Sequence, residues 1–148
     1  MLAKRIRNLV LVTGMLVLGQ SAIAQEKLIN QLRDHPAPYL ALHGEDPVAW
    51  QDWNQATVDL ARSQNKVLVI SVGYFSCHWC HVMQEESYQD EQIADLLNRH
   101  FIPVKVDREL HPALDDRLMD FAQGILGRGG WPLNVFVTPD GHPIFAVL

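Results

Sequence analysis

The chain contains two cysteines, Cys77 and Cys80, separated only by His78 and Trp79. A bridge across so short a loop constrains almost no chain entropy, so the pair is not a structural staple. That spacing instead suits redox chemistry, metal binding or haem attachment. In redox exchange the attacking species is a thiolate. A helix N-terminus favours its formation through unpaired N–H groups and the positive end of the helix dipole. A nearly continuous β-branched run, Val67-Leu68-Val69-Ile70-Ser71-Val72, directly precedes the pair, and a helical pattern begins at His78. This places Cys77 at a helix N-terminus as nucleophile and Cys80 one turn further in as the resolving thiol. His78 can carry positive charge beside the thiolate. Trp79 can shield the pair and present an apolar docking surface.

Two other chemistries compete for these residues. Cys77-His78-Trp79-Cys80-His81 satisfies C-x-x-C-H, the haem c attachment pattern, with thioethers at both cysteines, His81 on the iron and Met119 as the candidate distal ligand. Zinc would need ligands from outside the run, such as His43 or His111, because His78 and His81 diverge from the cysteine pair on a helix. Strand patterns stand where a small cytochrome would be helical, and no histidine spacing selects a metal set. The expectation is therefore no cofactor and no metal.

The elements that must position the pair follow from periodicity. Residues 25–47, broken by Pro36, Pro38 and Pro47, read as irregular. Val48–Gln64 has helical spacing, with Asp46 as cap and Pro47 at its first position, and ends at Asn65. Val67–Val72 is a strand buried on both faces. His78–His100 is helical with a break near Ser87–Asp90, Asp90 capping a second piece whose Ile93, Leu96 and Leu97 form an apolar face. Phe101–Asp107 is a strand with Pro103 near its start. Pro112–Gln123 is a helix closed by Gly124. Leu133–Thr138 and Pro143–Leu148 are strands joined by a Pro139-Asp140-Gly141 turn.

Strands joined through helices run parallel, and the tight turn makes the last pair antiparallel. An α/β chain with a central mixed sheet flanked by helices, and a CxxC where its first strand meets a helix, has the thioredoxin arrangement. In that fold a cis-proline lies beside the CxxC, and the backbone of the residue before it pairs with the substrate. Gly130-Trp131-Pro132 fits that place, making Pro132 the expected cis-proline and Trp131 its neighbour. Thioredoxins also carry a buried Asp six residues before the nucleophile. Ser71 stands there in this sequence, so proton transfer falls to water, His78, Glu85 or Glu86.

The N-terminus reads as an export signal over residues 1–24. Lys4, Arg5 and Arg7 precede an apolar run from Leu9 to Gly19, and Ala22-Ile23-Ala24 supplies the small-x-small cleavage pattern. The run is too short to span a bilayer comfortably, since a spanning helix takes ~20 residues. A single domain over residues 25–148 is expected in the periplasm or secreted. The hydrophobic fraction of 48% and charged fraction of 20% are those of a globular protein. The formal net charge of −5 becomes more negative once the three basic residues leave with the signal. Such a chain has no electrostatic reason to bind nucleic acid or an anionic membrane.

Several motifs in order carry a family resemblance. Gly73-Tyr74-Phe75-Ser76-Cys77-His78-Trp79-Cys80-His81-Val82-Met83 is similar to the GYxxCHWCHVM segment of the YyaL/spermatogenesis-associated thioredoxin-like family. Pro38-Tyr39-Leu40, His43 and Asp46-Pro47-Val48-Ala49-Trp50 resemble its SPYLxxH and NPVDW segments, with Ala49 in place of a carboxylate. Val104-Lys105-Val106-Asp107-Arg108-Glu109 and Gly129-Gly130-Trp131-Pro132-Leu133 resemble its KVDRE and GGWPL segments. The resemblance implies a thioredoxin-like domain with Cys77 and Cys80 at the family's CxxC, acting on protein thiols or disulfides with a redox partner protein. A non-catalytic module that docks through Trp79 and the Trp131 loop is the alternative. Longer relatives continue into a large helical domain, whereas the elements read here end at a fourth strand, so the helix that closes a thioredoxin fold is expected to be absent. One sheet face is then expected to be partly uncovered. The 148-residue chain should accordingly dimerise, aggregate or recruit a partner there. Sedimentation velocity checks this, and a monodisperse, high-melting monomer would contradict it.

Overall fold

The computed structural model describes residues 27–148; the expected signal segment, residues 1–24, lies outside them. Its elements are α1 (Pro38–Leu42), α2 (Gln55–Gln64), β1 (Leu68–Gly73), α3 (His78–Met83), α4 (Glu91–His100), β2 (Ile102–Asp107), α5 (Pro112–Leu126), β3 (Leu133–Val137) and β4 (Pro143–Val147). A π-helical turn, Gln84–Tyr88, joins α3 to α4.

The four strands form one mixed sheet in the order β2-β1-β3-β4. β1 runs parallel to β2 and antiparallel to β3, and β3 runs antiparallel to β4. Every residue of β1 and β2 is buried, as central strands covered on both faces require. Alternation along β1 divides the core. Leu68, Ile70 and Val72 face one cluster with Leu118, Met119 and Ala122 of α5. Val69 faces the other, with Leu32, Tyr39, Leu40, Trp50, Tyr88 and both cysteines. At the far edge, Ile144 and Phe145 of β4 are exposed.

Residues 27–54 depart from the sequence expectation. Asp46 caps no helix, and Val48–Trp50 is buried and not helical, with Trp50 N–H donating to the Val48 carbonyl across a tight turn. Gln51 bridges to the edge of β2, its N–H donating to the Pro103 carbonyl and its own carbonyl accepting from Lys105 N–H. The helix starts later, capped by Asn54, whose Oδ1 accepts from Thr57 N–H at 3.0 Å. The supposed irregular stretch before it includes α1 and contributes Leu32, Tyr39, Leu40 and His43 to the core.

Helix ends elsewhere follow local chemistry. Asn65, in the left-handed region at φ 49°, closes α2. α5 runs through Gly124 and stops at Gly127, φ 68°, since the left-handed C′ site rather than any glycine terminates a helix. In α4 the buried stripe is Ala94 and Leu97, while Ile93 and Leu96 are exposed. Asp90 does cap α4, accepting from Gln92 and Ile93 N–H, each at 2.9 Å. Asp90→Ala should lower unfolding stability by about 1 kcal/mol, read from urea denaturation; an unchanged midpoint would show that these bonds are replaced by solvent at no cost.

Candidate active site around the Cys77–Cys80 disulfide

Cys77 is the N-cap of α3, and its Sγ accepts from Cys80 N–H at 3.2 Å. The chain reaches this point from the C-terminal end of β1 through Tyr74, whose carbonyl accepts from Cys77 N–H. The two sulfurs form a disulfide. Cys77 retains 4% of its accessible surface and Cys80 1%, so Cys77 is the more approachable, although both are buried. His78 and Trp79 are exposed on the helix flank with their rings edge to face at 5.3 Å. Trp79 is 65% exposed.

The Trp131–Pro132 peptide is cis. Trp79, Val82, Met83, Trp131 and Pro132 line a shallow, mainly apolar groove of about 320 Å³, with Glu86 and Ser87 on its rim. Trp131 also packs on the core cluster that holds both cysteines. Three residues that sequence reasoning passed over fix the indole. Asp115, buried at the start of α5, accepts from Trp131 Nε1–H at 2.8 Å and pairs with Arg108 Nε at 3.3 Å. The Arg108 guanidinium lies 3.9 Å from the Trp131 ring centre, and Tyr74 meets the same indole edge to face. A stacked cation and a hydrogen-bonded N–H hold the ring at a fixed angle.

Behind the disulfide lies a buried polar system. Ser71 Oγ, at the place of the expected proton-handling Asp, is within 2.9 Å of Tyr88 Oη and accepts from Lys105 Nζ at 3.0 Å. Tyr88 Oη also donates to Asn134 Oδ1 at 2.6 Å. Lys105 is fully buried on β2, with its Nζ over the rings of Tyr88, Trp50 and Tyr39 at 4.5, 5.2 and 5.5 Å. Burial pushes its pKa down to about 7, with Asp46 pulling weakly the other way. A lysine at a core-facing position within an apolar strand was the sequence signal for this group.

Asp46 is held by three donors: His43 Nδ1 at 2.7 Å, Trp50 Nε1 at 3.0 Å and Gln84 Nε2 at 2.8 Å. Burial works against its carboxylate, but those hydrogen bonds outweigh it and keep the pKa below the usual range. Burial and then the nearby Lys105 push His43 down to about 4 despite its bond to Asp46. His43 is thus a neutral donor to a buried carboxylate.

The remaining sequence candidates are dispersed. Glu85 and Glu86 are exposed on the π turn. His81 Nε2 lies 2.7 Å from the Phe75 carbonyl. Met119, the candidate distal haem ligand, packs in the cluster on the opposite face of the sheet from the cysteines. Among the described residues no three His, Cys, Asp or Glu side chains are grouped to hold a metal ion.

Comparison with known proteins agrees with this architecture. Residues 29–148 match the thioredoxin-like, DsbH-type family described as "Protein of unknown function, DUF255". Spermatogenesis-associated protein 20 of Rattus norvegicus is 47% identical over 120 residues, covering 81% of this chain and 15% of that protein. The Homo sapiens protein of the same name is 47% identical over 118 residues, covering 80% and 15%. The chain thus spans less than a fifth of the length of these curated relatives. Among solved structures, one titled DsbH oxidoreductase superposes with a TM-score of 0.52 at 16% identity, covering 68% of this chain and 72% of its own. A putative disulphide-isomerase from Bacteroides thetaiotaomicron gives 0.54 at 20%, covering 70% and 81%. At these identities the structural likeness establishes the thioredoxin-like fold.

The buried lysine generates a pH prediction. Its folded pKa of about 7 lies below the ordinary 10.5, so between those values the unfolded chain binds the extra proton and stability rises with pH. Below pH 7 the folded state carries a desolvated ammonium at full cost. Urea denaturation of wild type and Lys105→Met across this window should show wild type gaining relative to the variant as pH rises. A difference that stays flat would mean that the ammonium is not desolvated.

Proposed function

The chain belongs to the DUF255 thioredoxin-like family, and from that membership and its site we propose that it is a thiol–disulfide oxidoreductase acting on protein thiols or disulfides through Cys77 and Cys80. The observation that carries the reading is the disulfide at the N-terminus of α3, beside an apolar groove built from Trp79, Trp131 and Pro132.

In the oxidising direction a substrate thiolate attacks Cys77 Sγ. The Cys77–Cys80 bond breaks, its electron pair leaves on Cys80 Sγ, and that sulfur takes up a proton. A second substrate thiolate then attacks the substrate sulfur of the mixed disulfide and expels Cys77 as a thiolate. The substrate has lost two electrons to the pair. The reverse sequence begins with Cys77 attacking a substrate disulfide and ends with Cys80 resolving the intermediate. The helix N-terminus stabilises the anion on Cys77 in both directions. Trp131, clamped by Asp115 and Arg108, presents a rigid apolar wall to the substrate chain.

Export through residues 1–24 to the periplasm or beyond is part of the same proposal, since it supplies the compartment in which a protein disulfide persists. No helix among the described residues is long and apolar enough to cross a membrane. In this reading a redox partner protein resets the pair.

Exchange with a disulfide-bonded protein such as insulin tests the function. Wild type should accelerate it, Cys77→Ser should abolish the acceleration, and Cys80→Ser should accumulate a mixed disulfide at Cys77. Protein recovered from outside the cytoplasm should begin at Gln25. A wild-type chain that exchanges no faster than a simple dithiol would favour the non-catalytic docking module.

A further inference from the structure

Tyr39 is 1% exposed, and among the described residues its hydroxyl is the buried side-chain polar atom left without a hydrogen-bond partner. Such a group is costly, and native cores rarely keep one without a reason. Its surroundings supply one. A Cβ added to Gly73 would collide with the Tyr39 hydroxyl and also come within 2.8 Å of Cys80 Sγ. The hydroxyl and the sulfur therefore crowd one point, and only the missing side chain of Gly73 lets them share it. The Tyr39 ring is fixed from two sides, edge to face with His43 and beneath Lys105.

We propose that Tyr39 is a positioning residue for Cys80, its hydroxyl pairing with the Cys80 sulfur when the Cys77–Cys80 disulfide opens. The inference rests on the thiol–disulfide exchange proposed above. A disulfide sulfur is a poor acceptor, whereas the departing Cys80 thiolate is a strong one and its thiol can both donate and accept. Burial, reinforced by Tyr88, Asp107 and Asp46, pushes the phenol well above its ordinary range, so it stays protonated as a donor. The unmet hydrogen bond thus belongs to the oxidised state, and reduction satisfies it. In equilibrium with glutathione, two glutathione thiols become one glutathione disulfide. Cys77 and Cys80 take up the two electrons and two protons, and Tyr39 biases that balance towards the dithiol.

The test is the equilibrium of the full chain with glutathione, wild type against Tyr39→Phe. Loss of the hydroxyl should shift it roughly tenfold towards the disulfide, a potential about 30 mV more reducing, with reduction by glutathione slowed. The oxidised variant should be no less stable than wild type, because the change deletes only an unsatisfied group. An unchanged potential in a folded Tyr39→Phe chain overturns the inference and leaves the exchange reaction standing; a wild-type pair that does not exchange with glutathione overturns the functional reading beneath it. Should the variant fail to fold, the NMR resonance of the Tyr39 hydroxyl proton in wild type decides. A downfield move on reduction supports the pairing, and an identical shift in both states overturns it.

Discussion

A lysine buried in the middle of the sheet is the constraint around which this half of the molecule is arranged. Lys105 enters the core from β2, where an isolated charge would be intolerable. One hydrogen bond to Ser71 and three aromatic faces from Tyr39, Trp50 and Tyr88 surround it. Asp46 supplies the buried negative charge, itself secured by His43, Trp50 and Gln84. These partners come from α1, the turn-rich segment after it, β1 and the π turn. Satisfying one buried amine therefore fixes how four separate pieces of chain meet behind the disulfide.

That arrangement explains the ordered path of residues 27–54. A segment whose only task was to lead into the first helix would not bury Tyr39, His43, Asp46 and Trp50. Here they form the wall of the aromatic cage, and Gln51 continues it by hydrogen bonding to the edge of β2. The same wall carries the Tyr39 hydroxyl to Cys80 across Gly73. On the substrate side, a second ionic group does comparable work at the surface: Asp115 and Arg108 hold Trp131 through its N–H and its ring face. The disulfide thus lies between a buried polar system and a rigid apolar groove.

The strands were legible because they are short apolar runs bounded by turn residues, but their directions were not all so. β3, joined to β2 through α5, runs antiparallel to β1 and hence opposite to β2, where strands joined through helices were expected to run parallel. The cysteine pair was legible because strand, CxxC and helix follow one another locally. The start of α2 was misplaced, because Asp46-Pro47 has the composition of a helix cap. Its carboxylate instead serves His43, Trp50 and Gln84, partners that no local pattern reveals. The face of α4 was misjudged in part: Leu97 is buried as expected, but Ile93 and Leu96 are exposed and Ala94 packs into the core beside Leu97.

The sequence by itself determined the chemistry available at Cys77 and Cys80, the mixed sheet that carries them and the family to which the chain is related, because each is written in contiguous residues. Only the tertiary structure decided what surrounds the pair. Whether Ser71 meets a lysine or a carboxylate, which groups hold Trp131, and which hydroxyl stands beside Cys80 are all settled by contacts between segments distant along the chain. Burial turns those contacts into obligations, since every polar group withdrawn from water must find its partner in the fold.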